Sequence, residues 1–247
     1  MKLPKLDASF SALAAARPPR RRAGFTLVEL LVVITIIAIL ASLLLPALAG
    51  TVRRSRALKS VGNVRQIGLA MNLYSQDHGQ LPRDPREVDA PNWIEALAPY
   101  AGSVDGIRTC PADPLREARL RARSSGYVPN YYTSGGRPQS FSGPSGDPLY
   151  GLDPDRDIDT FARPADTFLL FEASNAGVIP GDRPMFDDHT HPDTWLFGWG
   201  HVTADIDPHR HGKTANYLFA DWHVASIGAD KLRARIEAGD NFAMIPR

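Results

Sequence analysis

Residues 25–49 form a long apolar run, FTLVELLVVITIIAILASLLLPALA, in which Glu29 is the only charged residue. As an α-helix the run is about 37 Å long at about 1.5 Å per residue, enough to cross a hydrocarbon core of about 30 Å. Pro46 lies inside it and predicts a kink near residues 42–46, because proline lacks the N–H and crowds the preceding turn. The run therefore predicts a membrane-spanning helix.

Basic residues flank the apolar run on both sides. Residues 1–24 are rich in alanine, proline and basic side chains and contain a single acid, Asp7, which is typical of a targeting leader rather than a folded segment. A second basic run covers residues 53–65 and meets no acid before Asp77. Charge counting alone gives only a weak indication of orientation across the membrane.

The helix is predicted to continue beyond the membrane segment. Apolar residues recur there every three or four positions, the period of an amphipathic helix: Leu58, Val61, Val64, Ile67, Met71 and Tyr74. The stretch 77–82 ends the pattern, with Gly79 as the predicted cap. We expect one rod of some fifty residues with a membrane half and an amphipathic half.

Beyond Pro82 the periodic segments are short and proline and glycine are frequent. We predict a brief helix over 93–100, strands over 167–171, 214–220 and 223–227, and a closing helix within 230–240. The last two strands form a hairpin around Asp221 and Trp222. The predicted fold class is α+β, a long helix packed on an antiparallel sheet with long loops. The predicted domains are 1–24, 25–49, 50–80 and 81–247.

Three interpretations of residues 1–50 compete. An uncleaved signal anchor needs only the apolar run and a basic flank. A secretory signal peptide cut after Ala49 would fit the small-residue pattern at 47–49, but its apolar core is usually 7–15 residues long. The third rests on residues 20–34, RRRAGFTLVELLVVI, which resemble the class III leader of type IV pilins and type II secretion pseudopilins.

The resemblance implies a complete processing and assembly route. Prepilin peptidase cuts after Gly24, and the new N-terminal residue, Phe25, is methylated on its amine. That amine pairs with Glu29 of a neighbouring subunit, which offsets the cost of a carboxylate in lipid. Pro46 stands where many pilins bend this helix. The implied partners are the peptidase, like subunits or other pilins, and the lipid of the inner membrane. The protein crosses that membrane once, with its leader in the cytoplasm and residues 50–247 on the periplasmic side.

The C-terminal half is rich in histidine and aspartate. Six of the seven histidines lie between residues 189 and 223. Imidazole and carboxylate are ligands of zinc and related ions, so a transition-metal site is a hypothesis, although no recognised zinc spacing occurs. Its candidate ligands are His209, His211, Asp221 and His223. The alternative function is therefore a membrane-tethered or secreted metal-dependent hydrolase or binding protein.

The same segment carries a second resemblance. Residues 211–224, HGKTANYLFADWHV, resemble the end motif of a planctomycete and verrucomicrobial group of pilin-like proteins, a histidine, nine residues and then Asp-Gly. Trp222 replaces the glycine. Residues 163–172 and 110–113 resemble two further landmarks of that group, so the similarity spans 20–227. We expect His211 and Asp221 to flank one hairpin and to hold it through hydrogen bonds.

A calcium site is the second metal hypothesis. Acids alternate at Asp153, Asp155, Asp157 and Asp159, and major pseudopilins bind calcium in a C-terminal loop. Ile158 occupies the position where an EF-hand-like loop needs glycine, and Pro164 the position of its last acid, so a solvated acidic loop is the preferred interpretation. Calcium and a transition metal are thus the cofactors to test, and no motif requires either.

Catalysis and nucleic-acid binding find little support in the sequence. Neither the single cysteine, Cys110, nor any serine lies in a recognised nucleophile motif, and no glycine-rich phosphate loop occurs. A lone cysteine also excludes an intramolecular disulfide, and we expect it to be a small buried apolar residue. Scattered arginines are typical of a solvated surface. We therefore predict a structural subunit that is not an enzyme and does not bind nucleic acid.

Overall fold

A computed structural model describes residues 26–82, 92–134, 158, 161–176 and 190–246 of this chain. The chain divides into two compact units, Met1–Ala47 and Leu48–Arg247. Helix α1, Leu27–His78, is continuous through Pro46, and the kink expected there stays a prediction. Gly79 follows the helix at a φ of 70°, the left-handed conformation of a glycine cap, as predicted.

In the first unit, α1 exposes its large apolar side chains on all sides. Of the helices in the described ranges, α1 is the one long and apolar enough to cross a membrane. A helix that is apolar all round is stable only where lipid or protein covers it. The structure thus agrees with the membrane segment predicted for residues 25–49.

The second unit is built on an antiparallel sheet, four-stranded within the described residues, in the order β1-β2-β3-β4. The strands are β1 (Tyr127–Pro129), β2 (Phe168–Glu172), β3 (Thr214–Phe219) and β4 (Val224–Gly228). The three predicted strands are confirmed to within one residue at each end. Strand β1 was missed, because three residues are too short to show an alternating pattern.

One face of the sheet packs against the outer half of α1. Val64, Ile67 and Met71 are buried there in one apolar core with Leu170 and Leu218. Leu58 belongs to the same apolar period, but its side chain is 71% exposed. The buried face instead includes two polar residues, Ser60 and Asn63, so its composition could not be found from apolar spacing alone.

The opposite face of the sheet is covered by an aromatic core. Phe168, Phe171 and Tyr217 of the sheet pack with Trp195 and Phe242 from later segments. The elements on this side are a 3-10 helix at Pro192–Phe197, α6 (Trp199–Asp205) and α7 (Ala229–Glu237). Helix α7 confirms the predicted closing helix.

Short helices connect α1 to the sheet. They are α2 (Trp93–Ala96), α3 (Ala98–Ala101), α4 (Val104–Ile107) and α5 (Arg116–Arg121). The single helix predicted over 93–100 is thus two helices that meet at Leu97. A further 3-10 turn, Pro164–Asp166, leads into β2.

The β3–β4 turn explains the unusual residue in the end motif. Trp222 has a φ of 70°, which is a left-handed backbone conformation. This conformation costs a residue with a side chain about 1–2 kcal/mol, whereas glycine adopts it readily. The Trp222 side chain is partly buried against the apolar core beneath α1. Packing of the indole ring therefore offsets part of the strain at a position suited to glycine.

Candidate functional site

The start of α1 carries a reciprocal capping arrangement. The Glu29 N–H donates to the Thr26 hydroxyl oxygen at 3.2 Å. The Glu29 carboxylate accepts from the Thr26 N–H at 2.9 Å and from its hydroxyl at 2.8 Å. This Thr-x-x-Glu capping box satisfies backbone donors that the first helical turn leaves unpaired. Gly24 and Phe25, the predicted processing residues, lie outside the described residues.

The capping box gives Glu29 a local role that the sequence analysis missed. The signal was present, because threonine followed three residues later by glutamate before an apolar run is a helix-start pattern. Within one chain the carboxylate therefore already accepts two hydrogen bonds. A contact between Glu29 and another subunit would add to this arrangement or replace it.

The four histidine and aspartate residues predicted to bind a transition metal make different contacts in the structure. His209 is exposed, with Nδ1 3.3 Å from the Gly212 carbonyl oxygen. Asp221 and His223 form their own pair in the β3–β4 turn, with Oδ1 and Nδ1 2.5 Å apart. Among the described residues, His211 belongs to a group of three ligand-type side chains, and its partners there are Cys110 and Glu172. A site shared by all four residues stays a hypothesis.

The four aspartates of the calcium hypothesis, at 153, 155, 157 and 159, lie outside the described residues. The expected role of His211 and Asp221 in the hairpin is divided between separate contacts. Asp221 accepts from the His223 N–H at 3.2 Å within the turn, whereas His211 bonds to Glu172 at the end of β2.

Glu172 is the centre of a buried polar cluster between α1 and the sheet, which we call the Glu172 centre. Its Oε1 accepts from the Ser60 hydroxyl of α1 at 2.6 Å and lies 2.9 Å from His211 Nε2. Its Oε2 accepts from the Asn216 N–H of β3 at 3.0 Å. The Tyr127 hydroxyl of β1 lies 3.0 Å from the Ser60 oxygen. These bonds connect the helix to three of the strands or their flanks.

Cys110 completes the Glu172 centre. Its Sγ lies 3.8 Å from His211 Nε2, and the thiol is fully buried. Burial, followed by the nearby charge of Glu172, raises the pKa of the Cys110 thiol to about 12. In the metal-free protein the thiol is therefore protonated at neutral pH and is not an activated nucleophile.

A second buried cluster surrounds Asp113, close in sequence to Cys110. Its carboxylate lies 2.9 Å from Arg119 Nε and 3.3 Å from Arg210 Nη1, and all three side chains are at most 1% exposed. Arg119 also donates to the Ser125 and Ser174 carbonyls, and Arg210 to the Ala173 carbonyl. Asp113 thus pairs with two buried guanidinium groups and joins α5 to the segment before β3. Arg210 has a second, partly exposed acid, because Asp207 Oδ2 lies 3.3 Å from its Nε.

Substitution of Gly126 tests how tightly the Asp113 cluster is packed. A Cβ at residue 126 would lie 2.8 Å from Asp113 Oδ2 and 3.3 Å from the Cys110 backbone nitrogen. We expect Gly126→Ala to lower the free energy of unfolding by about 1–3 kcal/mol, because the carboxylate must leave its arginine partners or the backbone must shift. Denaturant unfolding followed by tryptophan fluorescence measures the change.

Gly200→Ala is the matched control, since a Cβ there meets nothing within 4 Å and the residue lies in α6. The free energy of unfolding of Gly200→Ala is expected to rise by up to about 1 kcal/mol, because alanine has a higher helix propensity than glycine. Equal stability of the two variants would contradict the packing described around Asp113.

Asp205 forms another buried acidic centre, between the 3-10 helix Pro192–Phe197 and α6. The buried Asp205 carboxylate accepts from the Trp195 indole N–H at 2.7 Å and from the His191 N–H at 2.6 Å. His191 Nδ1 lies 3.1 Å from its other oxygen. Asp205 therefore holds the 3-10 helix Pro192–Phe197 against α6, and His191 contributes to that contact.

Comparisons with known proteins point to one group. Residues 19–45 match the prokaryotic N-terminal methylation motif. The type II secretion system core protein G of Aeromonas hydrophila is 37% identical over 98 residues, 38% of this chain and 68% of that protein. The proteins of the same name from Escherichia coli K12 and Klebsiella pneumoniae are 32% and 33% identical, covering 40% and 38% of this chain and 70% of each relative. No solved structure matches the chain significantly.

Proposed function

Because this chain belongs to the pseudopilin family of the type II secretion system core protein G, we propose that it is made as a precursor, cut after Gly24 by prepilin peptidase and methylated at Phe25. The mature chain then assembles with like subunits or other pilins into a type II secretion or type IV pilus-like filament. It is anchored in the inner membrane by one helix, with its globular unit on the periplasmic side.

The main observation behind this proposal is that the methylation motif overlaps the start of a helix. The motif covers residues 19–45, and α1 begins at Leu27 directly after the capping residue Thr26. A cut after Gly24 leaves only Phe25 and Thr26 ahead of the helix. The new amine is then four residues before Glu29, about one helical turn away. The amine of one subunit and the Glu29 carboxylate of its neighbour can therefore meet at the same depth in the membrane.

An exposed apolar stripe on the outer half of α1 supports subunit contact beyond the membrane. Leu58, Leu69 and Leu73 are 71%, 60% and 39% exposed. Leu58 and Leu69 are 11 positions apart, and Leu69 and Leu73 are 4 apart. At 3.6 residues per turn, these spacings place the three side chains on one face of the helix. Three exposed leucines on one face form an apolar patch of the kind that marks a protein–protein contact surface. In the proposed filament, the helix of a second subunit covers them.

The proposed role is structural rather than catalytic. The group of three ligand-type side chains in the described residues is buried, so a substrate has no direct access to it. Its thiol is protonated in the metal-free protein because its pKa is raised to about 12. These features disfavour the alternative of a metal-dependent hydrolase. No nucleic-acid partner is proposed.

Two substitutions of Glu29 test the assembly step. Glu29→Gln keeps the capping box, because glutamine also bonds back to the capping residue, but removes the charge. Glu29→Leu removes both. If the amine of Phe25 pairs with the Glu29 carboxylate, both variants are expected to reduce sheared filaments at least about tenfold, since pairing of charges in lipid is worth several kcal/mol. Electron microscopy and quantification of the sheared fraction measure the effect.

Cleavage of the leader is the control in the same cells, because it precedes assembly and does not need the Glu29 charge. Normal filaments from Glu29→Gln together with a defect in Glu29→Leu would show that Glu29 acts only as a helix cap. That result would contradict the proposed pairing.

A further inference from the structure

Three distant sequence landmarks meet at the Glu172 centre. Cys110 follows α4, Glu172 ends β2, and His211 lies just before β3. Sγ of Cys110 is 3.8 Å from Nε2 of His211, which is 2.9 Å from Oε1 of Glu172, and all three ligand atoms lie within 4.8 Å of one another. Thiol, imidazole and carboxylate are the ligand types of zinc, and here they converge from three separate segments.

Hydrogen bonds alone do not balance the negative charge of the Glu172 carboxylate in this centre. The Glu172 side chain is fully buried, and among the groups described as bonding to it only His211 can carry a positive charge. His211 Nδ1 has no hydrogen-bond partner among the described residues, whether or not Nε2 binds an ion. A buried carboxylate costs free energy unless a positive charge lies close to it, and a metal ion would supply that charge.

We propose that Cys110, Glu172 and His211 bind one zinc ion in the folded protein. On binding, the Cys110 thiol releases its proton to solvent, and the thiolate and carboxylate charges cancel the two positive charges of the ion. Neutral His211 coordinates through Nε2. The Ser60 hydroxyl of α1 donates to Glu172 Oε1 at 2.6 Å and thereby orients this ligand.

The separations fit one ion after small movements. With zinc about 2.3 Å from sulfur and about 2.0–2.2 Å from nitrogen or oxygen, tetrahedral ligands lie about 3.3–3.6 Å apart. The observed 3.8 Å and 2.9 Å separations bracket that range. Calcium is excluded by the ligand chemistry, because it takes six to eight oxygens and the centre offers sulfur and nitrogen. The site would join α1, the α4–α5 segment and the sheet in a protein whose lone cysteine cannot form an internal disulfide.

Metal analysis of the full-length protein tests the proposal. The detergent-purified chain is stripped with a chelator, incubated with zinc sulfate and desalted, and its zinc content is measured by mass spectrometry. We expect about one zinc per chain. Cys110→Ala and His211→Ala are each expected to lower zinc retention at least about tenfold. The matched control, His223→Ala, removes an exposed histidine of the β3–β4 turn and is expected to retain the ion.

Cobalt gives a second readout that does not depend on variants folding. The cobalt-loaded wild-type protein is expected to show the charge-transfer absorption of a thiolate ligand and tetrahedral visible bands. Wild-type protein that remains folded but retains no zinc, or a Cys110→Ala variant that retains as much as the wild type, overturns the proposal. The N-terminus of the same sample is measured independently, so failure of the zinc site leaves the filament function untouched.

Discussion

Asp113→Ala is expected to lower the free energy of unfolding by about 3–5 kcal/mol, because it leaves two buried guanidinium groups without their shared carboxylate. Asp113, Arg119 and Arg210 are almost fully buried, so water cannot take over the role of the lost anion. Arg210 keeps a second acid, Asp207, at 3.3 Å, so the larger share of the loss falls on Arg119. With an unfolding slope of about 2–3 kcal/mol per molar urea, the midpoint falls by about 1–2 M. All four tryptophans lie between residues 93 and 222, so fluorescence follows the globular unit.

The control for Asp113→Ala is Asp166→Ala. Asp166 pairs with Arg163 at 2.6 Å, but both side chains are more than half exposed. Its loss is expected to cost less than about 1 kcal/mol, since water and salt screen an exposed pair. A midpoint for Asp113→Ala within error of the Asp166→Ala midpoint would contradict the assignment of Asp113 as the counterion of two buried arginines.

Gly24→Val is expected to abolish removal of the 24-residue leader. Glycine lets the backbone approach a binding surface closely, and a β-branched side chain beside the scissile bond blocks that approach. The precursor then keeps its basic leader, no free amine forms at Phe25, and filaments are absent. Immunoblotting against the size of the untreated precursor measures the cleaved fraction, and shearing measures the filaments.

Ala23→Gly is the matched control for Gly24→Val, because it changes the neighbouring residue and adds no bulk. It is expected to be cut normally. Filaments assembled from uncut Gly24→Val would show that the free amine of Phe25 is dispensable, and the proposed link between processing and assembly would fail.

The long helix and the main strands were predictable because their signals are local. The apolar run and the three- to four-residue period each fall within a short window. Leu58 fits the same period yet is exposed, because the neighbouring face, with Ser60 and Asn63, is the one that meets polar groups of the sheet and loops. Periodicity identifies an amphipathic helix but does not decide which residues at its edge are buried.

The Glu172 centre could not be predicted from spacing, since its ligand-type residues lie 39 and 62 positions apart along the chain. One local signal existed: β2 reads FLLFE, and a glutamate that ends an otherwise apolar, buried strand requires a partner. The histidine-rich stretch made His211 a candidate together with exposed residues such as His209, but its partners Cys110 and Glu172 are brought to it by tertiary packing.

The mass of the mature chain tests the central claim most directly. The account predicts that protein purified from membranes begins at Phe25, carries one methyl group on its terminal amine and otherwise corresponds to residues 25–247. A chain that begins at Gly50 would instead indicate a secretory signal peptide. A chain that retains residues 1–24 would indicate an uncleaved anchor. Either of these two results would contradict assembly through Phe25 and Glu29.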